Sequence, residues 1–200
     1  METDLESLEW IFRQFPTQRQ QRLQWRQIAA EVDRRLRNQH HWGTPALVPG
    51  LVHARVATAL IVAGIRNKRV LLGKAILTLG AHAGLEVRIL NDLGAYAIGI
   101  ERNSHVVSQA IDAGLVTFEQ LIVADYWKFL RSDLRNWDLI ISLAPQSLSL
   151  ELLAVHAVPH LKSRGQLVVV AHDDEVVGKT GDFDVGPALE GTMQWYRLRQ

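Results

Sequence analysis

With 200 residues, 22 lysines and arginines against 21 aspartates and glutamates, and no cysteine, the chain can bury one substantial core. Its net charge of +1 gives no global attraction for nucleic acid or a membrane surface. The missing cysteine excludes disulfides, thiolate metal centres and cysteine nucleophiles, and with an acidic, amphipathic N-terminus that is no secretory leader it predicts a cytoplasmic protein. The longest apolar stretch, 56–65, is too short to span a bilayer and reads as a buried helix.

Residues 1–70 read as helical. Leu5, Leu8, Ile11, Phe12 and Phe15 recur at three- and four-residue spacing until Pro16, and Thr17 is placed to cap a second helix over 17–39 with Leu23, Ile28, Val32 and Leu36 along one face. Between 12 and 40 there are seven arginines and two acids. That excess would suit RNA or an acidic partner, but a solvated helix face with long side chains is the simpler account. His40 to Pro45 form a turn-rich break around Trp42, and a third, apolar helix runs from Pro49 or Gly50 to Ile65, closed by Arg66-Asn67-Lys68.

From Lys74 onward, short apolar runs alternate with amphipathic helices. This predicts an α/β fold: a Rossmann-like, mostly parallel sheet over 71–200, preceded by the N-terminal helices as an extension or cap. Strands are expected at 75–79, 95–100, 120–124, 137–143 and 166–171, and helices at 84–93, 103–113, 127–134 and 148–161. The last stretch, 182–200, reads as an antiparallel hairpin turning at Glu190-Gly191.

Within this frame the run Leu77-Thr78-Leu79-Gly80-Ala81-His82-Ala83-Gly84 places a glycine turn at the carboxyl end of the first strand, and Ile98-Gly99-Ile100-Glu101 ends the second with an acid 21 residues beyond Gly80. A turn of this kind lets a ligand approach the main chain, and a carboxylate at that distance can accept hydrogen bonds from both hydroxyls of an unphosphorylated ribose. The arrangement suits an adenosine-bearing ligand. A nicotinamide-dependent dehydrogenase would need a further glycine where Leu85 stands and does not call for the terminal hairpin.

Over 74–200 the sequence resembles the class I S-adenosylmethionine-dependent methyltransferases. The resemblance implies that Gly80, Ala81, His82 and Gly84 cradle the methionine part of the cofactor and that Glu101 takes its ribose. Asp125 would meet the adenine amino group, with Tyr126 packed on the ring and Leu143, at the end of the fourth strand, lining the site. Asp138 at the start of that strand is structural by the same resemblance, and Leu161 to Leu167 resemble the basic turn into the fifth strand. Two positions depart from the family pattern: Thr78 stands where an acid often helps to hold the cofactor's ammonium group, and His82 replaces the middle glycine. They leave open a non-catalytic binding or scaffold protein with an altered pocket.

The acceptor chemistry is less legible. Ala144-Pro145-Gln146-Ser147 lacks the Asp/Asn-Pro-Pro-aromatic signature of enzymes that methylate amide or exocyclic amino nitrogens. His172, followed by Asp173 and Asp174 at the ligand edge of the sheet, is a candidate general base, although a strand-capping histidine explains it as simply. His156 and His160 have the spacing of a helical metal pair, but Pro159 intervenes and no third ligand is evident, so no metal is expected. Trp42 and the loop to Pro49 could form an acceptor wall by the family resemblance, and no Ser-His-Asp constellation supports hydrolysis.

Overall fold

A parallel sheet covered by helices buries its central strands on both faces, and residues 76–79, 97–100, 139–142 and 167–171 are buried without interruption. The computed structural model describes residues 49–143, 148–171, 176–177, 182–187 and 194–198, together with six helical positions at 23, 24, 27, 30, 31 and 34. The first expected helix, Trp42, Ala144 to Ser147, His172 and the Glu190-Gly191 turn lie outside the described residues. The six isolated positions fall inside the expected second helix, where Arg34 donates to Glu31 at 2.8 Å along the exposed helix surface.

Helix α1 (Pro49–Val62) and the single turn α2 (Lys68–Leu71) lead into strand β1 (Ala75–Leu79). There follow α3 (Leu85–Asp92), β2 (Tyr96–Glu101), α4 (Ser104–Asp112), β3 (Leu121–Val123), α5 (Tyr126–Ser132) and β4 (Trp137–Leu143). The expected helix over 148–161 is shorter and more divided. Leu148–Ser149 form a two-residue strand β5, Leu150–Ala157 form α6, and Pro159 tightens Val158–His160 into a 3-10 turn before β6 (Leu161–Ala171). A second two-residue strand, β7 (Val176–Val177), pairs in parallel with β5, and the chain ends in the hairpin β8 (Phe183–Pro187) and β9 (Gln194–Leu198).

The main sheet has seven strands in the order β3-β2-β1-β4-β6-β9-β8. The first five run parallel and β9 joins β6 antiparallel. Pleating sends alternate residues to opposite faces. Ile76, Leu139, Ile141, Val168 and Val170 enter one core with Val56 and Leu60 of α1 and Ile89 and Leu90 of α3, so the third of the expected N-terminal helices is part of the layer covering the sheet. Leu77, Ile140, Leu167 and Val169 enter the other with Leu130 of α5 and Leu150 and Leu153 of α6. No described helix is long and apolar enough to cross a membrane.

Side chains cap α4, α5 and α6. Asn103 accepts from the amides of His105 and Val106, Asp125 from Lys128, and Ser149 from Leu152. At the amino edge of the sheet, Asp138 accepts from Lys162 Nζ (2.7 Å), Lys74 Nζ (3.1 Å) and the Ala75 amide (2.9 Å). Partial burial alone would raise its carboxyl, but these bonds prevail and hold it below the usual carboxylate range. The basic turn before the fifth strand is a bulge within β6, where the register slips between Trp137 and Leu139 and Arg164 takes a φ of 67°.

Candidate functional site

In an open parallel sheet the carboxyl ends of neighbouring strands, where crossovers leave in different directions, open a crevice. The structure places Gly80, Glu101, Asp125 and Leu143 along that edge, at the ends of β1, β2, β3 and β4 or within two residues of them. The turn after β1 is built from alternating left-handed residues, with φ of 67° at Gly80, 46° at His82 and 75° at Gly84. At Gly84 a Cβ would add a tight fit to the left-handed backbone, lying 3.1 Å from Val116 Cγ1 and 3.3 Å from Leu121 Cδ2. A Cβ on Gly80 would meet nothing within 4 Å, so this glycine answers to backbone conformation and faces open room.

Gly99 brings α3 and β2 together. A Cβ built there would fall 2.7 Å from both Ala81 Cβ and Val87 Cγ2 and 2.8 Å from Leu121 Cδ1. The missing side chain lets the turn settle over β2, whose last residue then reaches it. Glu101 Oε2 accepts from the His82 amide at 3.0 Å, and Oε1 accepts from the Asn103 amide at 2.8 Å. The carboxylate therefore joins the glycine turn to the loop after β2, and the Ala81 amide, donating to Ile100 O at 3.0 Å, adds a third tie.

On the far side of the edge, Asp125 Oδ1 is committed to the Lys128 amide as the cap of α5. Tyr126 follows it, half-buried, with its ring 4.6 Å from that of Trp127, which in turn meets His156 edge-on at 5.5 Å. Burial, and next the Asp125 charge, push the Tyr126 hydroxyl above its ordinary value, while Arg102 works in the opposite direction. Leu143 is partly exposed at the end of β4, where the Ser142 hydroxyl donates to Leu79 O at 3.2 Å and ties β4 to β1. The Thr78 hydroxyl is turned to Ile98 O, so this buried position presents no carboxylate. His156, on α6, is engaged with Trp127 of α5 while His160 lies in the 3-10 turn, and no group of three metal-ligating side chains occurs among the described residues.

Both ring nitrogens of His82 are shielded from solvent. One residue at this edge was not singled out from the sequence. Glu86, in the first turn of α3, is only 7% exposed. Burial lifts its carboxyl to about 8; its own backbone hydrogen bond and Arg55 on α1 pull the other way, while the Glu101 charge adds to the rise. A local pattern could not have marked it, since an acid in the first turn of a helix is ordinarily a solvated partner of the helix dipole.

No family model and no curated protein matches the chain. Among solved structures it is similar to a chain of the fibrillarin/Nop5p complex, with a TM-score of 0.55 at 17% identity over 80% of this chain and 91% of that one. It is also similar to an S-adenosylmethionine-dependent methyltransferase from Agrobacterium tumefaciens (TM-score 0.52, 15% identity, 70% of this chain and 62% of that one). The ribosomal protein L11 methylase from Lactobacillus delbrueckii subsp. bulgaricus is a third (TM-score 0.50, 14% identity, 74% and 79%). At such identities the likeness is one of fold, and the fold is the class I, Rossmann-like fold of S-adenosylmethionine-dependent methyltransferases.

Proposed function

We propose that this chain is a cytoplasmic methyltransferase that binds S-adenosylmethionine along the carboxyl edge of β1 to β4 and methylates an acceptor at oxygen or at an unspecialised nitrogen. The observation that carries the reading is the bonding of Glu101. An ionised carboxylate offers about four lone-pair sites, and two are taken by the amides of His82 and Asn103. The remaining two fit the 2′- and 3′-hydroxyls of a ribose, and the open room beside Gly80 fits a ligand lying against the main chain. Asp125 and Tyr126 would take the adenine and Leu143 would line the same edge; residues 1–70 would form a helical cap on the domain over 71–200.

When bound, the cofactor supplies a methyl group on positively charged sulfur, open to in-line displacement. The chain's own contribution is chiefly positional. Glu101 is held from both sides before any ligand arrives, so its orientation is not assembled at the moment of binding. His172 is our candidate base for an acceptor hydroxyl, placed by the sequence directly after β6.

One observation favours a second reading, binding without transfer: the shielded ring of His82 lies in the turn where the family carries a glycine. Calorimetric titration with S-adenosylmethionine and S-adenosylhomocysteine separates the two. Micromolar binding that weakens by ~100-fold in Glu101→Ala, the loss of two charge-assisted hydrogen bonds, supports the enzyme and justifies a search for its acceptor. A folded sample, freed of copurified nucleoside, that binds neither ligand replaces it with the scaffold.

A further inference from the structure

The amino end of the sheet, opposite the candidate site, carries a pattern of its own. Ala75 is in register with Tyr96, Ile76 with Leu139 and Trp137 with Leu161, so β1, β2, β4 and β6 begin at nearly one level. Leu72, Phe118, Leu134 and Val158 each stand three residues before a strand, namely β1, β3, β4 and β6, and Tyr96 opens β2. Leu134 is 96% exposed, Phe118 73%, Leu72 66% and Tyr96 56%, four of the five most exposed large hydrophobics among the described residues. Scattered singly, such residues need no explanation. Here each of the five parallel strands is entered past one.

The same end is basic. Arg66, Lys68, Arg69 and Arg164 are exposed and form no ion pair among the described residues, while Lys74 and Lys162 share the one carboxylate of Asp138. Asp112 and Glu119 lie to the side, before β3. The near-neutral balance of the whole chain conceals this local surplus. Helix α1 reaches this end by its C-terminus, where Val62 O and Ala63 O accept from Arg197 and Gln166, so the chain before Pro49 joins at the other end of that helix.

A second copy on this face would set like charges against each other, and a nucleic acid would leave the leucines without a use. An anionic bilayer meets both features: its headgroups attract Lys and Arg, while aliphatic and tyrosine side chains enter the boundary beneath them. We propose that the amino end of the sheet docks this protein on an anionic lipid surface, with Leu72 and Leu134 entering the interface and Arg66, Lys68, Arg69 and Arg164 on the headgroups. The carboxyl edge then faces away from the lipid, open to water. This docking stands whether or not the carboxyl edge binds a nucleoside.

The test is co-sedimentation of the full chain with vesicles of phosphatidylcholine alone, and of phosphatidylcholine and phosphatidylserine in equal parts. The wild type should bind the mixed vesicles only, and less as salt is added. The pair Arg66→Gln and Arg69→Gln should lower the partition coefficient by about 25-fold, near fivefold for each charge. Leu134→Asn should lower it by at least about tenfold. These positions are exposed, so thermal melts of the variants should match that of the wild type. Equal binding to both vesicles, binding to neither, or full binding by Leu134→Asn overturns the proposal. A dimer that Leu134→Asn dissociates would give this end to a second copy, and capture of oligouridylate without vesicle binding would give it to nucleic acid; either result overturns it as well.

Discussion

Glu86 has a consequence for stability that needs no ligand. Its carboxyl moves from an ordinary 4.5 to about 8 on folding, so the folded state retains a proton that the unfolded chain gives up between those values. A group raised in this way contributes stability that is complete below 4.5 and is lost as the pH climbs through 8. At about 1.4 kcal/mol per pH unit of uncompensated titration, the loss between pH 5 and pH 7 is on the order of 2–3 kcal/mol, a large part of a typical domain's 5–15 kcal/mol. Glu86→Gln keeps the shape and removes the titration. Urea unfolding of both proteins at pH 5 and pH 7 should show the wild type losing roughly 2–3 kcal/mol more than the variant, with every other titrating group cancelling between them. Equal losses would refute the assignment of Glu86 as a buried neutral acid.

His82→Gly replaces a side chain held at a φ of 46° and should change the unfolding free energy by less than about 1 kcal/mol, because relief of strain is offset by a freer unfolded chain. It should tighten S-adenosylmethionine binding measured by calorimetry; weaker binding would make the imidazole a ligand group. Gly99→Ala drives a methyl to within 2.8 Å of three side chains, and should cost about 1–3 kcal/mol in a urea titration while weakening nucleoside binding, since Ala81 is among the atoms displaced. For Asp138, whose carboxyl is held low, stability is present above the ordinary carboxylate range and is lost as the pH falls through the lowered value. Asp138→Asn should therefore cost ~1.5–3 kcal/mol at pH 7, with the gap to wild type narrowing in unfolding curves taken below about pH 4.

What was legible in the sequence is what local periodicity and turn chemistry control. Leu77 and Leu79 read as strand because a doubly covered sheet wants apolar residues without interruption, and Gly80 and Gly84 read as turn because their backbone angles exclude side chains. The helix starts expected at 103 and 127 lie within one residue of those observed at Ser104 and Tyr126, and the caps Asn103 and Asp125 that set them emerge only in the structure. The β6 bulge is different: Gly165 sits where a Cβ would lie 2.8 Å from Trp137 O, a contact made by a residue 28 positions away and invisible to any local window. Glu86 escaped for the same reason, since its burial depends on α1 arriving across α3. The fine structure of 148–161 was lost to an apolar run that suits a strand, a helix or a 3-10 turn equally until its neighbours choose.

The pairing of Leu148 and Ser149 with Val176 and Val177 is small, yet it spans the two crossings of the sheet's ligand edge that follow β4 and β6. Two short stretches 28 residues apart are laced side by side, so neither can be lengthened or redirected by mutation without pulling on the other. Variation on this flank must then come in matched pairs. A displacement of either paired segment is felt by the other, so the two respond as one piece.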